Sequence, residues 1–174
     1  MFDFVIIGGG IAGASAASTL ATLGSVLLLE AESNFGVHAS GRSAAVFLEN
    51  YGNDTVKALN TASLPSLNAI DVLTPRGVLI VGRAQDRDAF DGEMAQMKML
   101  EISLQDAFKK LPILNLNRIT MAAYSDNALD MDTDFMLQHY LSDARSLGAV
   151  TMSNQKVTAI VRDSKGWRVD TQDE

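Results

Sequence analysis

The chain has 174 residues, 47% of them apolar and 20% charged, which is soluble-globular composition with enough apolar material for a hydrophobic core. A net charge of -7 and a pI near 4.7 exclude a surface that tracks phosphates, so no nucleic acid is expected as a partner. With no cysteine there is no disulfide, thiolate nucleophile or cysteine-based zinc site, which fits a reducing, cytoplasmic setting.

Phe4 to Leu29 is uncharged, but glycines and hydroxyl residues interrupt it and no basic segment precedes it, so neither a transmembrane segment nor a signal peptide is expected. It divides instead into secondary structure. Asp3 to Ile7 is a β-branched run that stops at Gly8-Gly9-Gly10; Ile11 to Leu23 is an alanine-rich helix with Gly24 as its expected cap; Ser25 to Glu30 is a second buried strand. Strand, crossover helix and strand make a parallel pair, and strands this apolar require layers on both faces.

Farther along, Asp54 to Asn60 reads as helical, with Pro65 expected to end or kink the segment. Gly77 to Gly82 is a strand, Asp86 to Leu100 has helical spacing, and Ser103 with Asp106 has the form of a helix cap. The methionines between Met94 and Met131 are expected as adaptable core filling. Arg118 to Tyr124 reads as a strand, Thr133 to Leu147 as an amphipathic helix closed by Gly148, and Ala149 to Met152 as the third parallel strand. Val157 to Arg162 and Trp167 to Thr171 form a hairpin around Ser164-Lys165-Gly166.

Chemistry is concentrated in Gly8-Gly9-Gly10-Ile11-Ala12-Gly13, which satisfies G-x-G-x-x-G between a strand and a helix. Gly8 permits the tight turn, Gly10 lets backbone approach a pyrophosphate, and Gly13 lets helix and strand pack closely. The helix N-terminus adds free N–H groups and about half a unit of positive charge. Glu30 ends the next strand, where a carboxylate accepts from both ribose hydroxyls; together with Glu32 it disfavours a 2′-phosphate. The loop from Gly36 to Ala45 offers small residues and one guanidinium, Arg42, against a dinucleotide or simply to solvent, and chemistry alone leaves NAD and FAD both open.

Three blocks, V-I-I-G-G-G-I-A-G-A-S, L-L-L-E-A-E and H-A-S-G-R-S-A-A followed by N-Y-G, resemble the FAD-dependent D-amino-acid oxidase and dehydrogenase family, the D-arginine dehydrogenases among them. Weaker likeness continues through Thr74-Pro75-Arg76, Asp130 to Asp134 and Gly166-Trp167. The resemblance implies FAD as cofactor, a small-molecule amine or amino acid as substrate, and hydride transfer from substrate to flavin. It implies that Gly8, Gly10, Ile11, Ala12 and Gly13 line the pyrophosphate, that Glu30 takes the adenosine ribose, and that Gly41, Arg42, Ser43, Ala44 and Ala45 run toward the flavin. By the same match the Val157 backbone meets adenine and Tyr51 lines the active site. Val46 and Val78 stand where basic-substrate relatives carry a histidine and an acidic residue, so D-arginine itself is disfavoured.

The expected architecture is α/β: a Rossmann-like FAD-binding parallel sheet with an inserted, incomplete α+β substrate domain. Residues 1–52 and 131–174 form the two segments of the FAD-binding domain, and 53–130 a helix and part of the substrate domain. Only two strands are expected between Gly77 and Tyr124, too few for a sheet, and the hairpin leaves a bare edge. The chain is therefore expected to be the N-terminal part of a longer enzyme, inactive alone and completed by a C-terminal part. An NAD-binding module and a non-catalytic truncated scaffold are the rival readings. Asp130, Asp132 and Asp134 alternate like calcium ligands but lack the glycine and glutamate of such a loop, and helix capping is the expected role. His38 and His139 have no partner pattern for a metal, and no metal is expected.

Overall fold

A computed structural model describes residues 1–164 and 166–172. In chain order the elements are β1 (Phe4–Ile7), α1 (Ile11–Leu20), β2 (Val26–Leu29), β3 (Val46–Leu48), α2 (Asp54–Ala69), β4 (Leu73–Pro75), β5 (Val78–Gly82), α3 (Arg87–Gln96), β6 (Leu100–Ile102), α4 (Leu104–Lys110), β7 (Met121–Ser125), β8 (Ala128–Met131), α5 (Thr133–Ser146), β9 (Val150–Met152), β10 (Val157–Asp163) and β11 (Gly166–Thr171). They fall into two compact units, residues 1–44 with 132–174, and residues 45–131.

The first unit is an α/β layer structure on a parallel sheet ordered β1-β2-β9. Phe4 pairs with Val26 and Leu27 with Val150, as the apolar runs predict. Ala14 and Ala17 of α1 and Ala144 of α5 carry no bulk beyond a methyl, so the two helices approach closely over Val26 and Leu28 of β2, with Leu137 and Leu141 completing the core. The Ser18 hydroxyl donates to the Asp143 carboxylate between these helices. Helix α1 stops at Leu20, short of the expected Leu23, because residues 21–24 turn early. Gly24 lies against Asp3, whose carboxylate accepts from the Ser25 amide at 2.8 Å. The hairpin β10-β11 is antiparallel, with a register shift between Val157 and Ala159. Of its expected turn, Lys165 lies outside the described residues.

The second unit contains two antiparallel three-stranded sheets, β3-β8-β4 and β5-β7-β6; between Gly77 and Tyr124 it has three strands where two were expected, β6 being the addition. Three-residue strands such as Leu100–Ile102 are too short to show a period of two, and Leu100 instead extended the reading of the preceding helix. The segment 45–52, expected with the first unit, belongs here because Val46–Leu48 pairs with Ala128–Met131. Helix α2 continues through Pro65 to Ala69. The missing proline N–H removes one hydrogen bond, while turns on both sides keep theirs and Leu67 is buried. Met99 and Met121 are buried with Phe90 and Ala123, and Met94 and Met97 pack against them, so the methionines do fill a core.

Candidate functional site

Strand β1 delivers the chain into the glycine turn, where Gly8 takes φ +103°, a region costly for any side chain with a Cβ. The Gly8 amide donates to Leu29 O at 2.8 Å, locking the turn to the end of β2. A Cβ on Gly13 would lie 1.9 Å from Gly8 O, and one on Gly9 2.2 Å from the Phe35 ring. These glycines are thus required by contact as well as by torsion.

Glu30 is only 8% exposed. Its Oε2 accepts from the Gly9 amide at 2.7 Å and its Oε1 from the Glu32 amide at 2.9 Å, so one carboxylate fastens the turn to the loop beyond β2. Each oxygen keeps a further lone pair for an outside donor.

Gly10 is the N-cap of α1 in extended conformation, with no side chain to cap it. The Ile11 amide donates to Ser40 Oγ at 3.0 Å, whereas the Ala12 and Gly13 amides have no acceptor among the described residues. A Cβ on Gly10 would meet Ser40 Oγ at 2.9 Å. Ser40 and Phe35 are contributors that sequence reasoning passed over. The signal for Ser40 was its place beside Gly41 in the small-residue loop; Phe35 had none beyond a glycine that needed filling.

The loop is held in place by backbone bonds from Gly36 N to Gly9 O, 3.1 Å, from Gly41 N to Gly36 O, 2.7 Å, and from Arg42 N to His38 O, 3.1 Å. His38 faces Glu32 at 2.9 Å, so it is an ordinary loop histidine. Gly41, Arg42, Ser43 and Ala44 are exposed at the end of the first unit, and Ala45 opens the second with φ 55°. Val157 begins β10 just after a segment whose Asn154 and Gln155 amides donate to Glu32 O and Glu30 O. The structure therefore brings the glycine turn, Glu30, Ser40, Gly41 and the approach to Val157 together in one unit.

Tyr51 lies in the other unit, 58% exposed. Asp132 caps α5 through the Phe135 amide at 2.8 Å, but Asp130 sits in β8 and pairs with Arg76 at 2.7 Å, which corrects its expected capping role. His139 stacks on Phe135 along the face of α5.

A donor-rich helix end, a turn with no room for side chains and a carboxylate at the neighbouring strand end make a cradle for a dinucleotide. The family described as DAO, FAD dependent oxidoreductase, matches residues 3–174. The chain belongs to this family. FAD is accordingly its cofactor, and the cradle fits that group by the free amides of Ala12 and Gly13 and by the remaining lone pairs of Glu30.

Solved structures of similar fold include glycine oxidase from Geobacillus kaustophilus, 20% identical, with a TM-score of 0.84 over 99% of this chain and 52% of that one. L-alpha-glycerophosphate oxidase from Mycoplasma pneumoniae, solved with FAD bound, is 18% identical with a TM-score of 0.86 over 99% and 50%. L-proline dehydrogenase from P. horikoshii is 16% identical with a TM-score of 0.80 over 98% and 49%. The chain thus spans about half the length of the structures it matches. Among the described residues no helix is long and apolar enough to cross a membrane.

Proposed function

We propose that this chain supplies the part of an amine or amino-acid oxidoreductase that holds the ADP half of FAD. The observation that carries this is the buried Glu30 carboxylate bonded to the Gly9 amide, because it sets an acceptor for ribose hydroxyls against the turn that admits a pyrophosphate. Ala12 and Gly13 donate to phosphate oxygens, Gly8 and Gly10 leave room for them, and Ile11 is positioned through Ser40. Gly41, Arg42, Ser43, Ala44 and Ala45 continue along the cofactor, with the Arg42 guanidinium countering phosphate charge, and the Val157 backbone meets adenine.

When bound, FAD supplies the acceptor for a hydride from the amine-bearing carbon of the substrate. Tyr51 faces the substrate, and Val46 and Val78 give that side an apolar character unable to offset desolvation of a guanidinium. The substrate is therefore an uncharged amino acid or amine, and D-arginine is a poor one. A C-terminal part of the same enzyme provides the remaining half of the fold.

The test is to purify the longest native product that contains these residues and record its visible spectrum before and after anaerobic addition of D-amino acids. Bound flavin bleached by neutral D-amino acids faster than by D-arginine is the expected result. Bound flavin that no amine reduces, in the intact product, would establish the non-catalytic scaffold.

A further inference from the structure

Gly9 occupies a variable place in the G-x-G-x-x-G pattern, and its φ is not positive, unlike that of Gly8. What excludes a larger residue there is a side chain. A Cβ on Gly9 would lie 2.2 Å from Phe35 Cδ1 and 2.8 Å from Phe35 Cε1, so the ring rests directly on the buried Gly9 backbone. Three contacts converge on this residue: its amide donates to Glu30 Oε2 at 2.7 Å, its carbonyl accepts from the Gly36 amide at 3.1 Å, and its Cα meets the ring. The two hydrogen bonds hold the peptides on either side of Cα, and the ring fills the space into which Cα could swing.

Phe35 is itself held from helix α5. It packs against the core that contains Leu137, Leu141 and Ala144, and the Arg145 guanidinium carbon stands 5.8 Å from its ring centre. Arg145 Nε in turn donates to Thr151 Oγ1 of β9 at 2.9 Å. Beside the ring, Gly36 takes φ +75° with no room for a Cβ, which would come within 2.5 Å of Leu137 Cδ2. A run of contacts thus leads from α5 through Phe35 to the amide that fastens Glu30.

We propose that Phe35 is a positioning residue for FAD: its ring fixes the Gly9 peptide against Glu30 and so sets how firmly the ADP half is held. The inference rests on the reading that Glu30 meets the adenosine ribose. A carboxylate bonded to a fixed amide has its remaining lone pairs fixed as well, and acceptors already oriented bind without the cost of ordering them. Without the ring the turn relaxes into the vacated space, water reaches the Gly9–Glu30 bond, and Glu30 presents its acceptors over a range of directions.

The test uses the longest native product that contains these residues. It reads the FAD dissociation constant and the visible bands of the bound flavin for Phe35→Leu, Phe35→Ala, Gly9→Ala and the double variant Gly9→Ala/Phe35→Ala. Phe35→Ala is expected to weaken FAD about tenfold, the scale of one loosened hydrogen bond, and Phe35→Leu clearly less because it keeps most of the bulk. Gly9→Ala is expected to weaken FAD roughly a hundredfold as its methyl enters the ring, and the double variant to return to the level of Phe35→Ala, since the methyl then has room. The flavin bands should stay where they are throughout, because the ring acts on the ADP half. Unaltered binding in Phe35→Ala, a double variant no better than Gly9→Ala, or weakened binding accompanied by shifted flavin bands overturns the proposal. Glu30→Ala separates this outcome from failure of the site itself. If Glu30→Ala leaves FAD affinity intact, the ribose reading falls and the role of Phe35 with it; if it weakens FAD while Phe35→Ala does not, the positioning role alone is lost.

Discussion

The two units restrict their glycines in different ways. At two glycines of the first, an added Cβ runs into backbone, 1.9 Å from Gly8 O at Gly13 and 2.5 Å from Gly36 O at Gly41, while at Gly9, Gly10, Gly24 and Gly36 it meets side chains. In the second, a Cβ on Gly82 would meet Met121 Cε at 2.8 Å and the Phe90 ring at 3.1 Å, both side-chain atoms. Backbone cannot step aside without dismantling the turn it belongs to, whereas a methionine end rotates. The glycine turn at Gly13 and the loop at Gly41 are therefore fixed by main chain, whereas Gly82 of the inserted unit sits against adaptable side chains.

The largest effect expected from this contrast comes from a single methyl group added at Gly13. Gly13→Ala is expected to cost at least about 3 kcal/mol, at or beyond the upper end of overpacking penalties, because the obstructing atom is a carbonyl oxygen. Gly82→Ala is expected to cost about 1 kcal/mol, as Met121 gives way. Denaturant unfolding of the two variants measures both, and equal losses would dissolve the distinction. Core truncation sharpens it: Leu141→Ala in the first unit removes a side chain that is 1% exposed and should cost about 3 kcal/mol. Met121→Leu in the second should cost less than about 1.5 kcal/mol, being nearly volume-conserving.

Glu30→Gln comes next. The amide retains one acceptor for Gly9 but presents an NH2 to the Glu32 amide, or the reverse, so one buried bond is lost at about 2 kcal/mol. Because the lost bond anchors the turn, FAD retention in the holoprotein should fall with stability. A variant that unfolds earlier yet holds flavin undiminished would separate Glu30 from the cofactor.

How much of this was legible in the sequence follows the same division. The first unit's strands are apolar runs bounded by glycines, its helix follows a motif with fixed spacing, and Glu30 falls where β2 ends, so sheet order and the cradle could be read directly. Ser40 could not be placed, since only the folded loop brings its hydroxyl to Ile11. In the second unit, β3, β4 and β6 have three residues each and acquire their structure from partners distant in the chain, as Val46 does from Asp130. Asp130 looked like a helix cap beside Asp132 until the strand partner was known. Pro65 misled for a related reason: burial of Leu67 on the far side of it outweighs one missing bond.

The smallest effect compares two aspartates that clamp their units by different means. Asp3 accepts from the Ser25 hydroxyl at 2.6 Å and the Ser25 amide at 2.8 Å, neutral donors that hold the start of β1 to the start of β2. Asp106 accepts from Lys109 at 2.8 Å and from Ser103 at 2.7 Å at the start of α4. Both carboxyls titrate below the ordinary aspartate range, Asp3 chiefly through the Ser25 side-chain bond and Asp106 chiefly through the Lys109 bond. A lowered folded pKa means that each contribution is full above the unfolded value and is lost as pH falls through the lower folded value, so both clamps loosen only in acid. Salt should distinguish them. Screening weakens the attraction of the exposed Lys109 charge but leaves hydrogen bonds from a hydroxyl and an amide in place. In a carboxyl-carbon NMR titration, raising the salt is thus expected to move the Asp106 midpoint upward toward the ordinary range and to leave Asp3 where it was. Ser25→Ala should release Asp3 and not Asp106. If both midpoints moved together with salt, the Asp3 clamp would be electrostatic, and the first unit would owe its strand alignment to charge as well as to main-chain fit.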